Sequence, residues 1–385
     1  MIVISIGTER KLFSENSTRE RILNMGKDFE QYHLIVFSLA KDTFKQQVIG
    51  NAILYPTNSY SKIGYVWDAI KIAYRITKLF SRNEKNNTVI TAQDPFECGF
   101  VGFIVSRLQK IKLHIQIHTD IFSLFFKNTR VQYIRMLIAP IIIYAADAIR
   151  CDCKRMANII MKKKMSRAPV AILPIFIDVK KYDLSQQVKS DVHDLFQEKR
   201  FVILMASRLE PEKEISMAID VFAKIITTYP KQAGLVIVGS GSLEQNLKNQ
   251  VKEIGLERDV LFVPWVNDLQ SYYKTADLFW MTSRFEGYGL TIAESLLCNT
   301  PVLTSDVGVA PEIIITDKTG WICPSQNSVC FEKKLNMIIG DRATYQAIKQ
   351  YLVQHPYVHA YADMELYKKA FIENIASAIV YKQPI

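Results

Sequence analysis

Along most of this chain, short runs rich in Val, Ile and Leu alternate with longer stretches whose apolar residues recur every third or fourth position. That rhythm constrains the fold more than any other feature, because strand–helix–strand repetition yields parallel sheets covered by helices on both faces. Strands are predicted at 2–7 (IVISIG), 33–39 (HLIVFSL), 88–92, 112–119 (KLHIQIHT), 148–153 and 170–175, with a helix over 64–82. A polar stretch with helical character, 180–200, interrupts the rhythm. The alternation resumes at 201–208 (FVILMASR), 234–241, 260–265, 278–282 (LFWMT) and 301–306. A chain of 385 residues accommodates two domains. The expected fold is α/β: two doubly wound Rossmann-like domains facing each other across a cleft, with the boundary inside 178–200. From about 342 onward the sequence is helical and aromatic-rich, with no strand signal. In open parallel sheets ligands sit at the carboxyl ends of the strands, so the loops after each strand are where chemistry is sought.

Charge is divided unevenly. Residues 1–180 hold 27 Lys and Arg against 14 Asp and Glu, and residues 181–385 hold 21 against 24, within a net charge of +10. A basic first half calls for an anionic partner, either nucleic acid or an anionic membrane surface. The six cysteines are scattered without a C-x-x-C pair or a histidine cluster, which points to reduced, buried thiols in a cytosolic protein rather than a zinc site or disulfide framework. The N-terminal MIVISIGTERK lacks the flanks of a signal peptide. The longest apolar run, 136–146, is interrupted by Pro140 and is shorter than the roughly 18 residues of a spanning helix.

Three stretches can carry chemistry. In SRLEPEKEI (207–215), Arg208 and Lys213 flank a proline turn between a strand and a helix, where two cations beside a helix N-terminus can neutralise a diphosphate. VGSGS (238–242) is a glycine turn after a strand, the ordinary tight connection to a helix. SRFEGYGLTIAESLL (283–297) places Glu286 after a strand, then Gly287 and Gly289, then a helix over 290–297 with Glu294 one turn inside. A carboxylate accepts from paired sugar or ribose hydroxyls, and the first N–H groups of a helix point at anions. The order hydroxyl acceptor, anion-binding turn, hydroxyl acceptor matches sugar, diphosphate and ribose.

These segments resemble a retaining glycosyltransferase of the GT-B type, family 4 (glycosyl transferases group 1). SRFEGYGLTIAESLLCNTPVLTSDVGVAPEII resembles the family's pair of glutamates eight apart with the following strand and loop. SRLEPEKEI resembles its phosphate-binding turn, and HIQIHTD (114–120) its first-domain strand ending in histidine. The loops at 93–102 and 173–183 also match. The resemblance implies an acceptor-binding domain over 1–180, a nucleotide-sugar donor domain over 181–345, and C-terminal helices over 346–385 returning towards the first domain. It implies that Arg208 and Lys213 hold the donor diphosphate, aided by the N–H groups of Tyr288, Gly289, Leu290 and Thr291. Glu286 would touch the donor sugar, Glu294 the ribose, and His118 the sugar and acceptor. The first loop, SIGTERKLFS, has Gly7 but not the family's paired glycines, Asn299 stands where glycine is commonest, and Phe176-Ile177 replaces Asn-Gly. No Asp-x-Asp occurs, so no cofactor or metal is expected, and the two cations and a helix N-terminus are expected to stabilise the leaving diphosphate.

The implied activity is transfer of a sugar from a UDP- or GDP-sugar to a hydroxyl of a sugar or lipid-linked acceptor, in cell-surface polysaccharide or glycolipid synthesis. The alternatives are a sugar-nucleotide epimerase on the same fold and a non-catalytic nucleotide- or nucleic-acid-binding module. The aromatics of the basic half fall at core-like spacing rather than as a stacking platform, so no nucleic acid is expected. Lys154, Arg155, Lys162, Lys163, Lys164 and Arg167, beside an aromatic segment containing Phe122, Phe125, Phe126, Lys127, Arg130 and Arg135, suit an anionic bilayer. The expected location is the cytoplasm, peripheral on the inner face of the plasma membrane.

Overall fold

The computed structural model describes residues 1–123, 126, 129–196, 198 and 201–381. The chain divides into two compact units: Met1–Pro174 together with the chain from Glu365 onward, and Ile175–Met364.

The first unit is built on strands β1 Ile2–Gly7, β2 Gln31–Val36, β3 Gln47–Ile49, β4 Ala52–Pro56, β5 Thr88–Ala92, β6 Lys112–Ile117, β7 Ala148–Cys151 and β8 Val170–Ile172. Their order is β3-β4-β2-β1-β5-β6-β7-β8, parallel throughout except that β3 runs antiparallel to β4. The central strands are apolar along their length because both faces are covered. All six residues of β1 and all five of β5 are buried. Each fully buried Val, Ile or Leu in such a strand contributes roughly 1.5–3 kcal/mol. Helices Gly64–Lys78 and Glu97–Gln109 cover the sheet. Helix Arg130–Ala145 continues through Pro140, the residue that breaks the apolar run 136–146. Pro140 is exposed, so water can satisfy the carbonyl deprived of its partner. The last helix, Met364–Val380, buries Tyr367, Phe371, Ile375 and Ala378 on one stripe. Asn374 Oδ1 bonds His114 Nε2 at 2.9 Å, and Lys368 pairs with Asp28 at 3.0 Å.

The second unit holds β9 Phe201–Ala206, β10 Ala233–Val238, β11 Val260–Val263, β12 Leu278–Met281, β13 Val302–Ser305 and β14 Gly320–Cys323, in the order β11-β10-β9-β12-β13-β14, all parallel. From β9 the chain winds one way to β11, then restarts on the other side at β12. The crevice between β9 and β12, beyond their carboxyl ends, is therefore a topological switch point. In the first unit the same reversal falls between β1 and β5.

Several expectations are corrected. Among the described residues, the polar 180–200 stretch forms short 3-10 turns, Val179–Tyr182 and Val192–Leu195, in place of the expected helical run. These turns are pinned to the second unit, where Val192 N–H donates to Thr275 and His193 Nε2 bonds Asp277. The changeover consequently falls after Pro174, ahead of the expected 178–200. Helix Arg342–Gln354 buries Tyr345, Ile348 and Leu352 in the core of the second unit, so of the 346–385 tail only the chain from Glu365 joins the first. Cys323 and Cys330 form a disulfide, Cα atoms 5.8 Å apart, because the turn between β14 and helix Ser328–Gly340 folds one back on the other. Cys98, Cys151, Cys153 and Cys298 are buried. Phe126 is not exposed: it is buried and stacks on Phe96 at 5.7 Å. Phe125 and Lys127 lie outside the described residues. Strands β3, β4 and β14 escaped the sequence pattern because each is short and flanked by polar turns.

Candidate functional site

The loops that leave β9 and β12 carry the residues singled out in the second unit. After β9, Pro211–Lys213 forms a 3-10 turn, and Glu214 then takes φ 53° to start helix Ile215–Thr228. Thr282, just past β12, donates through Oγ1 to the Lys213 carbonyl at 2.8 Å and locks this turn onto the neighbouring strand. Lys213 is thereby aimed across the crevice. Its Nζ reaches Glu286 Oε1 at 2.6 Å, with only 12% and 16% of the two side chains exposed. Ser283 Oγ donates to the same oxygen at 2.7 Å. A cation and a carboxylate 73 residues apart in sequence thus meet at the switch point.

Backbone geometry at this edge needs glycine at two places. Gly289 adopts φ 88° and opens helix Leu290–Leu297, whose first N–H groups have no partner within the helix. Gly308, in the loop after β13, adopts φ 50°, and a Cβ there would lie 2.2 Å from the Tyr288 carbonyl. Val309 N–H donates to that carbonyl at 2.7 Å, which fixes the loop bearing Glu286 against the next one. Asn299 takes φ 55°, the left-handed conformation that asparagine tolerates. The Tyr288 ring is buried, edge-on to His359, while Leu290 and Thr291 are half-buried.

Not every candidate joins the Lys213–Glu286 pair. Arg208 is largely exposed and pairs with Glu212 at 2.7 Å. Glu294 is buried: Tyr273 donates to its Oε2 at 3.0 Å and Tyr182 also bonds it. Burial raises the Glu294 carboxyl above the usual range, while the two phenols partly offset this by lowering it. Sequence reading missed Tyr182, Tyr273 and Ser283. Ser283 was legible as the neighbour of Glu286, but the tyrosines lie 112 and 21 positions from Glu294 and carried no signal. Glu210 accepts from the backbone and hydroxyl of Ser242, which holds the 238–242 glycine turn against the first loop and lowers the Glu210 carboxyl.

His118 belongs to the first unit, one residue past β6. It is one-third exposed, and its Nδ1 bonds the fully buried Asp152 at 2.7 Å.

Residues 188–354 match the family model of glycosyl transferases group 1. Among curated relatives, an uncharacterized glycosyltransferase of Methanocaldococcus jannaschii is 30% identical over 182 residues, 46% of this chain and 43% of the relative. The alpha-monoglucosyldiacylglycerol synthase of Streptococcus pneumoniae is 26% identical over 232 residues, 56% of this chain and 51% of the relative. The chain spans about half or less of the length of the first curated relatives it matches. Among solved structures, the Anabaena protein HepE in complex with UDP-glucose superposes with a TM-score of 0.70 at 19% identity, covering 98% of this chain and all of that one. The fold, two doubly wound α/β units, is that of GT-B glycosyltransferases.

Proposed function

We propose that this chain, whose residues 188–354 form a group 1 glycosyltransferase domain, moves a sugar from a nucleotide-sugar to a hydroxyl acceptor with retention of configuration and without a metal. The observation that carries the reading is the Lys213–Glu286 pair at the β9/β12 switch point, beside the N-terminus of helix Leu290–Leu297. The donor diphosphate lies there against Lys213, Arg208 and the N–H groups of Tyr288 to Thr291. Charge that develops on the leaving diphosphate is met by fixed donors and cations, with no reorganisation at the moment of reaction. Glu286, released from Lys213 by the diphosphate, accepts from the sugar hydroxyls, and Glu294 accepts from the ribose. A phosphate oxygen of the donor takes the acceptor proton on the face from which the diphosphate departs. HepE, with the same fold, was solved with UDP-glucose, which favours a UDP-sugar.

The acceptor is lipid-linked, in glycolipid or cell-surface polysaccharide synthesis. An apolar groove of about 700 Å³ in the first unit begins at Thr8, just past β1, and runs between Ile63, Trp67, Phe100, Ile134 and Ile138. It continues onto helix Arg130–Ala145, where Ile134, Leu137 and Ile141 are more than half exposed among the described residues. The name of the pneumococcal relative points to a diacylglycerol glycolipid. Peripheral attachment to an anionic membrane would present such an acceptor to the groove. Among the described residues no helix is long and apolar enough to cross a membrane.

The test is a panel of UDP-, GDP- and ADP-sugars. The selective donor stabilises the folded chain by mass action, by about 2.7 kcal/mol at one hundred times Kd, and so raises the unfolding midpoint. Turnover with a lipid-linked acceptor then survives EDTA and gives product of the donor's anomeric configuration. A panel in which no donor stabilises the chain refutes the reading. Loss of activity on chelation, restored by Mg²⁺ or Mn²⁺, refutes its metal-free part.

A further inference from the structure

The surroundings of His118 are more elaborate than packing requires. Asp152 is completely buried and accepts from His118 Nδ1 at 2.7 Å. On the other side of the ring, Nε2 lies 3.2 Å from Gln116 Oε1. The orientation of that amide is fixed. Arg150 Nη1, which can only donate, gives a hydrogen bond to Gln116 Oε1 at 2.9 Å, and Gln116 Nε2 donates to Thr91 Oγ1 at 3.0 Å. Both nitrogens of His118 are therefore held, Nδ1 against the Asp152 carboxylate and Nε2 against the Gln116 amide oxygen.

Arg150 is itself buried and fully engaged. It donates to the carbonyls of Leu173 and Pro174 and pairs with Asp152 at 3.4 Å. It also donates to the Tyr367 hydroxyl at 2.8 Å and lies over the rings of Tyr367 and Phe371. Tyr367 and Phe371 sit on the last helix, more than two hundred residues downstream. That helix also bonds His114, which burial pushes down to about 4.

We propose that Asp152, Gln116 and Arg150, braced by Tyr367 of the C-terminal helix, are positioning residues that fix the orientation of the His118 ring and keep its Nδ1–H donated to Asp152. Nε2, whose contact to Gln116 is the longer of the two, is the nitrogen left to meet substrate oxygen. This rests on the reading of His118 as the transfer-site histidine. A carboxylate behind an imidazole fixes its tautomer and orientation, and replacing such a carboxylate by its amide can leave geometry intact while presenting the wrong tautomer.

The test uses the full chain labelled with ¹⁵N-histidine at pH 7, with the His118→Gln spectrum assigning the ring among the six histidines. In the wild type His118 Nδ1 carries a proton locked on Asp152. In Asp152→Asn the Nδ1 proton is no longer locked and the ring reports a mixture of tautomers. Transfer in that variant falls by about 10²-fold or more in kcat, while KM for the donor and binding of UDP stay near wild type. Tyr367→Phe, which removes only a hydroxyl on the outer helix, moves the His118 signals in the same direction by less, and it decides the matter if Asp152→Asn does not fold. A bare Nδ1 in the wild type, or a His118 ring unaltered by both substitutions, overturns the proposal. A wild type that turns over no nucleotide-sugar sinks the glycosyltransferase reading instead, and the spectra still decide the positioning.

Discussion

Lys213→Ala separates what the Lys213–Glu286 pair does for the fold from what it does for the reaction. The contact is 2.6 Å between side chains only 12% and 16% exposed. At an effective dielectric of about 20 the Coulomb attraction is roughly 6 kcal/mol, most of it offset by the cost of desolvating both charges. Removing the lysine leaves Glu286 with Ser283 as its side-chain donor, a loss of about 1.5–3 kcal/mol for a charged hydrogen bond. For a unit of this size, Ile175–Met364, each kcal/mol lowers Tm by roughly 2–4 °C, so Lys213→Ala should melt roughly 3–12 °C below wild type. Neutralising the orphaned carboxylate in Lys213→Ala/Glu286→Gln removes most of that deficit. Activity should not follow. A lysine that meets the leaving diphosphate is worth about 10²- to 10³-fold in turnover, and the double variant lacks it just as the single one does. Differential scanning calorimetry and initial rates of UDP release on the same three proteins make the comparison. If activity recovers together with Tm in the double variant, Lys213 acts only by neutralising Glu286, and the assignment of the diphosphate to this crevice is wrong.

Arg208→Ala should lower turnover by about 10²-fold while Tm stays within a degree or two, because its pairing with Glu212 lies on an exposed side chain and is worth no more than about 1 kcal/mol; a variant with wild-type kcat/KM would remove Arg208 from the site. Glu294→Gln should weaken UDP binding, read by titration calorimetry, yet not destabilise the fold at pH 7. Burial raises the Glu294 carboxyl, so the stability belonging to its protonated form is present at low pH and lost as pH rises through the raised value. Gln, which never ionises, should therefore gain on wild type as pH rises from 4 to 7 in paired melts, and a gap that moves the other way would mean that the two phenols outweigh burial. Cosedimentation with liposomes should rise with anionic lipid and fall with salt. Replacing the exposed Lys162, Lys163 and Lys164 together by Gln should weaken it by about 10²-fold, at roughly 1 kcal/mol per lysine; equal partitioning onto neutral and anionic vesicles would assign the basic half to another partner.

The parts of this fold that sequence reveals are those whose cause is local. A strand buried on both faces must be apolar along its whole length, so β1, β5, β9 and β12 are visible as runs. Helix Leu290–Leu297 is visible because glycine precedes it and its own residues are apolar. Arg208, Lys213, Glu286 and Glu294 could be picked out because each stands within a few residues of such a boundary, where a strand must give way to a ligand-facing loop. What holds them in place has no such local cause. The tyrosines around Glu294 and the serine on Glu286 are ordinary residues until the chain is folded. The same is true of the disulfide: seven positions separate Cys323 from Cys330, and only the turn after β14 makes that spacing a bond.

The C-terminal helix carries this argument furthest. Read as sequence, 364–380 is an aromatic, amphipathic stretch that could cover any apolar surface. Its apolar residues do that, but Tyr367 and Asn374 reach polar groups buried inside the first unit, Arg150 and His114. An unpaired buried guanidinium is costly enough that Arg150 is tolerated only where every side of it is met. Here it is met by two carbonyls, an amide, a carboxylate and a phenol, the last from the far end of the chain. Truncation before Met364 would therefore strip the phenol and the two covering rings from Arg150 and with them the anchor of Gln116. Loss of function after such a truncation would include a loss at His118, in a segment the truncation does not touch.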